Sequence, residues 1–132
     1  MNLRLFDTNI WIALARGEPG ATARLRSLEP AQVASCSVVR SELMFGARKS
    51  LRVAENITGF VRLLTPFVSL PFDDLAAGHY GLMRATLERA GTPVGANDLL
   101  IASIAMANDC LLVTRNGREF ERIVGLRLEN WP

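Results

Sequence analysis

The chain has 132 residues, of which 49% are hydrophobic and 21% charged, and its net charge is +2. This composition excludes an intrinsically disordered chain, and the length predicts one domain over residues 1–132 with a buried core. The weak positive charge does not by itself indicate a nucleic-acid-binding protein. With neither an export signal nor an apolar run of about 20 residues, the sequence predicts a cytoplasmic protein with no membrane segment.

Apolar runs and capping residues predict strands that alternate with helices along the chain. The predicted strands span residues 3–6, 33–36, 68–70, 110–114 and 126–128. The predicted helices span residues 8–16, 19–28, 37–48, 51–64, 74–90 and 98–107. Ser37 is the expected cap of the third helix, and Asp73 or Asp74 of the fifth. This alternation predicts an α/β fold with a mainly parallel sheet.

The first predicted strand ends on Asp7, where an apolar strand gives way to an apolar helix. Ligands of open parallel sheets bind outside the carboxyl ends of the strands, which makes Asp7 a candidate metal ligand. The alternative is a helix cap, in which the carboxylate accepts hydrogen bonds from amide groups near Ile10. Asp7 alone does not separate these two interpretations.

Two further carboxylates fall on predicted helices. Glu42 shares a largely apolar face with residues that include Phe45 and Gly46, and an unpaired charge on a buried face is costly. Gly46 would let another backbone approach closely. Asp98 opens a helix that is apolar around its circumference and therefore expected to be central. The alternatives are an exposed helix residue for Glu42 and a helix cap for Asp98.

The stretch CLLVTRNGREFERI repeats the pattern of the N-terminus. A strand ends at Thr114, Asn116 begins a turn, and Glu119 follows, either as a site residue or as a solvated residue at a helix start. Carboxylates brought together repel and desolvate one another unless a cation joins them. Mg²⁺ and Mn²⁺ are the ions that oxygen ligands of this kind prefer.

Other kinds of site find little support in the sequence. It contains no GxxxxGK[ST], GxGxxG, GxSxG or HExxH motif. The one histidine, His79, shares a helix face with apolar residues, so it is expected to be a packed or interface residue. Cys36 and Cys110 fit neither a zinc pattern nor a disulfide framework and are predicted to be buried small side chains.

Four segments of the sequence resemble the motifs of PIN-domain ribonucleases, specifically VapC-type toxins of bacterial toxin–antitoxin pairs. They are LFDTNIWI, SVVRSELMFGARKS, GANDLLIASIAMAND and LLVTRNGREFERIVGLRLENW, which occur in the family's order and are spread over essentially the whole chain. The resemblance implies a three-layer α/β/α fold, a mainly parallel sheet flanked by helices, and an acidic pocket that binds Mg²⁺ or Mn²⁺.

The resemblance also implies roles for individual residues. Asp7, Glu42 and Asp98 match the family's three most constant acidic positions, and Glu119 matches a fourth that is used in some relatives. Asp7 and Asp98 are the expected metal ligands, and Glu42 is expected to position water. Supporting roles are expected for four polar residues: Thr8, Asn9, Thr114 and Asn116. Many relatives carry Asp where this chain has Asn116, which argues against a second tightly bound metal.

Two hypotheses follow. The first is a metal-dependent endoribonuclease that cleaves RNA, with transfer RNA as the substrate that the resemblance implies, and that is restrained by a VapB-type antitoxin. The arginines 40, 48, 115 and 118 are candidate phosphate contacts. A homodimer is also expected, through apolar residues on the helices at 51–64 and 74–90 that include Tyr80 and Met83. The second hypothesis is a noncatalytic PIN-fold module that binds protein or RNA through a degraded metal site.

Overall fold

The computed structural model describes residues 3–132 and contains a five-stranded sheet flanked by helices. The strands are β1 (Arg4–Phe6), β2 (Val33–Cys36), β3 (Val68–Leu70), β4 (Leu111–Thr114) and β5 (Leu128–Asn130). The helices are α1 (Thr8–Ala15), α2 (Pro19–Arg26), α3 (Ser37–Arg48), α4 (Val53–Leu64), α5 (Asp74–Arg89), α6 (Ala96–Ala107) and α7 (Gly117–Phe120). Within residues 3–132 no helix has the length and apolar character needed to cross a membrane.

The strands lie in the order β3-β2-β1-β4-β5, and every neighbouring pair is parallel. The chain builds outward from β1 through β2 to β3, then returns to add β4 and β5 on the other side of β1. This order confirms the predicted α/β/α architecture. Between β1 and β4 the direction of winding reverses, and ligands of open α/β sheets bind at such a switch point, outside the carboxyl ends of the strands.

The end of β1 is held firmly in the core. Phe6 and Trp11 are fully buried with their ring centroids 5.2 Å apart, and the indole Nε1 of Trp11 donates a hydrogen bond of 3.0 Å to the carbonyl oxygen of Phe6. Trp131 packs edge-on against Phe6 at 4.9 Å. The amide of Asp7 donates to the carbonyl of Val113 in β4, at 2.9 Å. Asp7 therefore starts from a fixed backbone position between two central strands.

Several predicted boundaries agree with the structure, and others differ for identifiable reasons. β2 and β3 begin and end as predicted, and Asp73 caps α5 by accepting a hydrogen bond from the amide of Ala76. The expected cap at Ser37 is wrong, because Cys36 occupies the cap position and Ser37 is the first helical residue. The last strand lies two residues later than predicted, since pairing with β4 starts at Leu128.

The two cysteines are free and buried, as expected from the sequence. Cys36 ends β2 and Cys110 immediately precedes β4. Burial raises the pKa of each thiol to about 11, so both remain protonated at neutral pH. Neither cysteine is suited to act as a nucleophile or a metal ligand in this fold.

Candidate active site

Asp7 serves both as a helix cap and as part of an acidic cavity. Its Oδ1 accepts a hydrogen bond of 2.7 Å from the amide of Thr8, which begins α1, and its Oδ2 accepts one of 2.8 Å from the hydroxyl of Thr114 at the end of β4. The amide of Ile10 donates instead to the backbone oxygen of Asp7. Burial is the main cause that raises the pKa of the Asp7 carboxyl.

Glu42 reaches the same cavity from the middle of α3. Its Oε1 accepts a hydrogen bond of 2.7 Å from the hydroxyl of Thr8, so Thr8 links α1 to α3. The helix face around Glu42 is less buried than the sequence predicts, because Phe45 and Gly46 are exposed. The expected close approach of another backbone at Gly46 is also wrong, since among residues 3–132 no atom outside the glycine, its chain neighbours and the nearby backbone of α3 comes within 4 Å of the place its Cβ would take.

Asp98 lies in the first turn of α6, a helix that begins at Ala96, two residues earlier than predicted. The helix is central, as expected, and most of its residues from Leu99 to Ala105 are buried. The pKa of Asp98 is raised to about 7, first by desolvation and then by the charges of Asp7, Glu119 and Glu42 in that order. These carboxyls thus lie near enough to one another to oppose the ionisation of Asp98.

Glu119, on the short helix α7, is held at the edge of the cavity by two donors. The amide of Gly95 donates to its Oε1 at 2.9 Å, and Nδ2 of Asn116 donates to its Oε2 at 2.8 Å. These bonds, with that from Gly95 foremost, lower the pKa of the Glu119 carboxyl. When Asp98 carries a proton, it can share that proton with Glu119, which raises the pKa of Asp98 and lowers that of Glu119. Glu119 is therefore a fixed anion at this edge and not a freely solvated residue.

A cavity of about 380 Å³ joins these elements outside the carboxyl end of β1. Most of the residues that the sequence predicts for the site line it: Asp7, Thr8, Asn9, Glu42, Asp98 and Asn116. Thr114 supports the cavity from behind, where its hydroxyl donates a hydrogen bond to Asp7. Glu119 supports it at the edge, where its carboxylate accepts a hydrogen bond from Asn116. The sequence analysis did not assign Ile12, Phe45 or Asn97, which also line it. The position of Phe45 one helical turn after Glu42 is the signal that could have revealed it.

The residues of the cavity suit a hard divalent cation. All of its candidate ligands are oxygen donors, and the raised pKa of Asp98 shows that a positive charge there would relieve repulsion. Within residues 3–132 no three His, Cys, Asp or Glu side chains already form a metal-holding cluster. Mg²⁺ does not need such a cluster, because one or two carboxylates can bind it while water completes the shell.

The predicted phosphate contacts differ in their availability. The guanidinium of Arg115 forms a two-pronged ion pair with Glu18, whose shorter N–O distance is 3.0 Å. Arg48 and Arg118 are exposed, and Arg40 is half-buried. Arg48 and Arg118 are therefore the better candidates to meet a polyanion, because Arg115 would first have to leave Glu18.

The sheet is parallel in the order β3-β2-β1-β4-β5, and acidic side chains lie at its switch point. These features define the class of the protein as three-layer α/β/α with a candidate metal site. The sequence pattern of the PIN domain matches residues 4–126. The chain therefore belongs to the PIN-domain family and, within it, to the VapC group.

Relatives and solved structures agree over nearly the whole chain. The tRNA(fMet)-specific endonuclease VapC of Shigella flexneri is 37% identical over 127 residues, which are 96% of each chain. The DNA-bound VapBC structure from Salmonella typhimurium superposes with a TM-score of 0.93 at 36% identity and covers 100% of both chains. The structure of VapBC2 from Rickettsia felis, bound to a DNA fragment from its promoter, superposes with a TM-score of 0.91 at 34% identity and covers 98% of this chain and 99% of that one.

Proposed function

We propose that this protein is a metal-dependent endoribonuclease, the toxin of a VapBC-type toxin–antitoxin pair, and that all 132 residues form one PIN domain. The observation that carries the proposal is the convergence of Asp7, Glu42 and Asp98 on one cavity at the switch point of the sheet. Such a cavity can hold a cation against a phosphodiester. The names of the relatives support the same activity.

The residues of the cavity divide the chemistry among them. Asp7 and Asp98 would hold Mg²⁺ or Mn²⁺, and the bound ion would offset negative charge that develops on the phosphate. Glu42 orients the attacking water and accepts its proton, and Thr8 fixes the carboxylate of Glu42 for that task. Glu119 adds negative charge at the edge of the site. Three polar residues, Asn9, Thr114 and Asn116, complete the supporting shell.

Transfer RNA is the proposed substrate, and its cleavage would inhibit translation and growth. Support comes from the Shigella flexneri relative, which is named for its action on tRNA(fMet). Unpaired RNA loops expose the backbone to a cavity of this size more readily than a duplex does. Because transfer RNA is found in the cytoplasm, we place the protein there.

The proposed partner is a VapB-type antitoxin, as in the VapBC assemblies that this chain resembles. An apolar groove beside the acidic cavity would accept an extended or helical segment of such a partner. Its lining includes Ile12, Leu43 and Phe60, and Glu42 lies between the groove and the acidic cavity. An arginine from the partner could then enter the cavity and compete with the metal.

A homodimer is proposed for the isolated toxin, through an exposed apolar patch that we define as Leu75, Leu82, Val124 and the half-buried His79. The patch differs from the one expected from the sequence. Met83 is only 7% exposed and belongs to the core. Exposed apolar surface of this kind marks interaction sites.

Incubation of the antitoxin-free protein with total RNA tests the proposal. We expect discrete fragments in Mg²⁺ or Mn²⁺, none in EDTA, and none with Asp7→Asn, which retains the shape of the side chain but weakens cation binding. A fold control is circular dichroism of the variant. RNA that stays intact in either metal would contradict the nuclease and support the noncatalytic binding module. The antitoxin proposal fails if a co-expressed upstream partner neither copurifies nor suppresses cleavage.

A further inference from the structure

Phe45 has an unusual setting for a large apolar side chain. It is 64% exposed, although its helix α3 buries Val39, Leu43 and Ala47 on another face. Single exposed apolar residues are ordinary on protein surfaces, so exposure alone indicates nothing. Phe45, however, lines the same cavity as Asp7, Glu42 and Asp98.

The position of Phe45 relative to Glu42 is fixed by the helix. Residues three apart lie on one face, about 4.5 Å apart along the axis. The Phe45 ring therefore lies on the same side of α3 as the carboxylate of Glu42, the proposed general base, and both residues line the cavity. This separation is short enough for one nucleotide to touch both residues.

A cation accompanies the ring. Nζ of Lys49, at the C-terminal end of α3, lies 5.0 Å from the centroid of the Phe45 ring, within the range of a cation–π contact. Lys49 is itself exposed and so available to a phosphate. Phe45 offers a surface for a flat uncharged group, and Lys49 offers a positive charge beside it. The first suits the base of a nucleotide, and the second suits its phosphate.

We propose that Phe45 is a stacking platform for an unpaired RNA base next to the scissile phosphodiester, with Lys49 at the adjoining phosphate. The inference rests on the proposed ribonuclease function and names the substrate feature that the site selects, an unstacked base. Acidic side chains in the cavity repel phosphates, whereas an uncharged base is not repelled. Stacking on an aromatic side chain can therefore hold the RNA where the local charge does not.

The competing occupant is an apolar side chain of the antitoxin. The structure offers that partner a second groove, which adjoins the cavity at Ile12 and Glu42 and whose lining also includes Leu43 and Phe60 but not Phe45. Phe45 instead lines the acidic cavity that the cleaved bond has to enter. Its place in the cavity and the cation over its ring favour the base.

Binding in EDTA, where cleavage is stopped, tests the inference without relying on catalysis. The probes are short single-stranded RNAs, each with 2-aminopurine at a different position, because stacking on an aromatic ring quenches this base. We expect quenching at one position with the wild type, and about 5- to 100-fold weaker binding without quenching for Phe45→Ala. Phe45→Trp should retain both signals, and Phe45→Leu should lose the quenching.

Leu51→Ala is the matched control, because Leu51 is fully exposed but lies in neither the acidic cavity nor the apolar patch. Its RNA binding should equal that of the wild type. Equal quenching and affinity for Phe45→Ala and the wild type would overturn the inference while Mg²⁺-dependent cleavage of total RNA still upheld the nuclease. Unchanged RNA binding with loss of the co-expressed antitoxin would assign Phe45 to the partner and also overturn it. A wild type that neither binds nor cleaves RNA would refute both proposals.

Discussion

Asp98 is the residue whose ionisation bears most directly on the metal-free fold. Its pKa rises from 3.8 to about 7 in the folded protein. Between these values the folded chain holds a proton that the unfolded chain has lost. Stability is therefore greatest below pH 4 with respect to this group, and it falls as the pH rises to about 7. Glu119 acts in the opposite direction but at lower pH, since its pKa lies below 4.5.

The free energy of unfolding in EDTA should accordingly drop by about 1 kcal/mol between pH 5 and pH 8, roughly half of the full linkage over this pH range because Asp98 is partly solvated. Urea titrations at the two pH values measure this change. Asp98→Asn should flatten the dependence, raise stability at pH 8 and lower RNA cleavage by more than about 100-fold. A variant as pH-dependent as the wild type would place the titrating group elsewhere.

Asn116 lines the acidic cavity, and its side-chain amide donates to Glu119. Asn116→Asp would replace that hydrogen bond with repulsion between two carboxylates. We expect a loss of about 1 kcal/mol in EDTA, regained on addition of Mg²⁺ or Mn²⁺, and stronger binding of a second ion by calorimetry.

Asn108→Asp is the control for this experiment. Nδ2 of Asn108 likewise donates to a neighbour, the carbonyl of Ile104, but Asn108 lies at the far end of α6 from Asp98. The stability that the Asn108→Asp variant loses should not return when Mg²⁺ is added. A loss in Asn116→Asp that metal cannot reverse, with unchanged stoichiometry, would mean that Asn116 takes no part in metal binding.

At the scale of elements, Thr114 ties the two strands on either side of the switch point. Its hydroxyl donates to Asp7 at the end of β1 and accepts from the amide of Asn116, which leads into α7. Thr114→Val keeps the side-chain shape but leaves a buried carboxylate oxygen and an amide without this partner. We expect a cost of about 1–3 kcal/mol in thermal or urea unfolding and about tenfold weaker Mg²⁺ binding.

Thr86→Val is the corresponding control on α5. The hydroxyl of Thr86 bonds only to the carbonyl of Leu82 in its own helix and is exposed, so its removal should change stability by less than about 0.5 kcal/mol. Similar losses for the two variants would show that the hydroxyl of Thr114 has no special role at the strand ends.

The elements also show what a sequence can and cannot predict. The bounds of β2 and β3 are predictable to the residue because short apolar runs bounded by prolines and helix starts leave little choice. The bounds of the last strand are not, because Leu126 and Leu128 are equally apolar and only pairing with Leu112 decides between them. The residue type of Ser37 predicts a helix cap, whereas the extended backbone of Cys36 sets the start of α3.

Part of the candidate site can be predicted from the sequence. Asp7 can be assigned to the site because a carboxylate at the end of a central parallel strand has a fixed place in this topology. Asn97 cannot be predicted because nothing local tells which side of a helix faces a cavity built from other elements, whereas Phe45 shares a helix face with Glu42 and follows once Glu42 is placed in the cavity. The pairing of Arg115 with Glu18 joins residues that are distant in sequence, and no periodicity reveals it.

For the molecule as a whole, the apolar patch determines the proposed self-association. Leu82→Glu places a charge in the patch on α5, where His79 lies one turn away and Leu75 two turns away. We expect an unchanged circular dichroism spectrum and a shift from dimer to monomer in light scattering at micromolar concentration, with at least about tenfold weaker association. Leu51→Glu, at a fully exposed position before α4, should remain dimeric. A wild type that is monomeric at this concentration would refute the dimer.

The placement of β1 between β2 and β4 has a consequence for the folding of the toxin during its synthesis. Asp7 and Glu42 are synthesised before Thr114 and Glu119. Until β4 has joined the sheet, β1 has one unpaired edge and Asp7 lacks the hydroxyl that holds it. We therefore expect a chain that is still being synthesised to bind Mg²⁺ weakly and to cleave RNA poorly. Cleavage activity would follow the completion of the sheet and would not precede it.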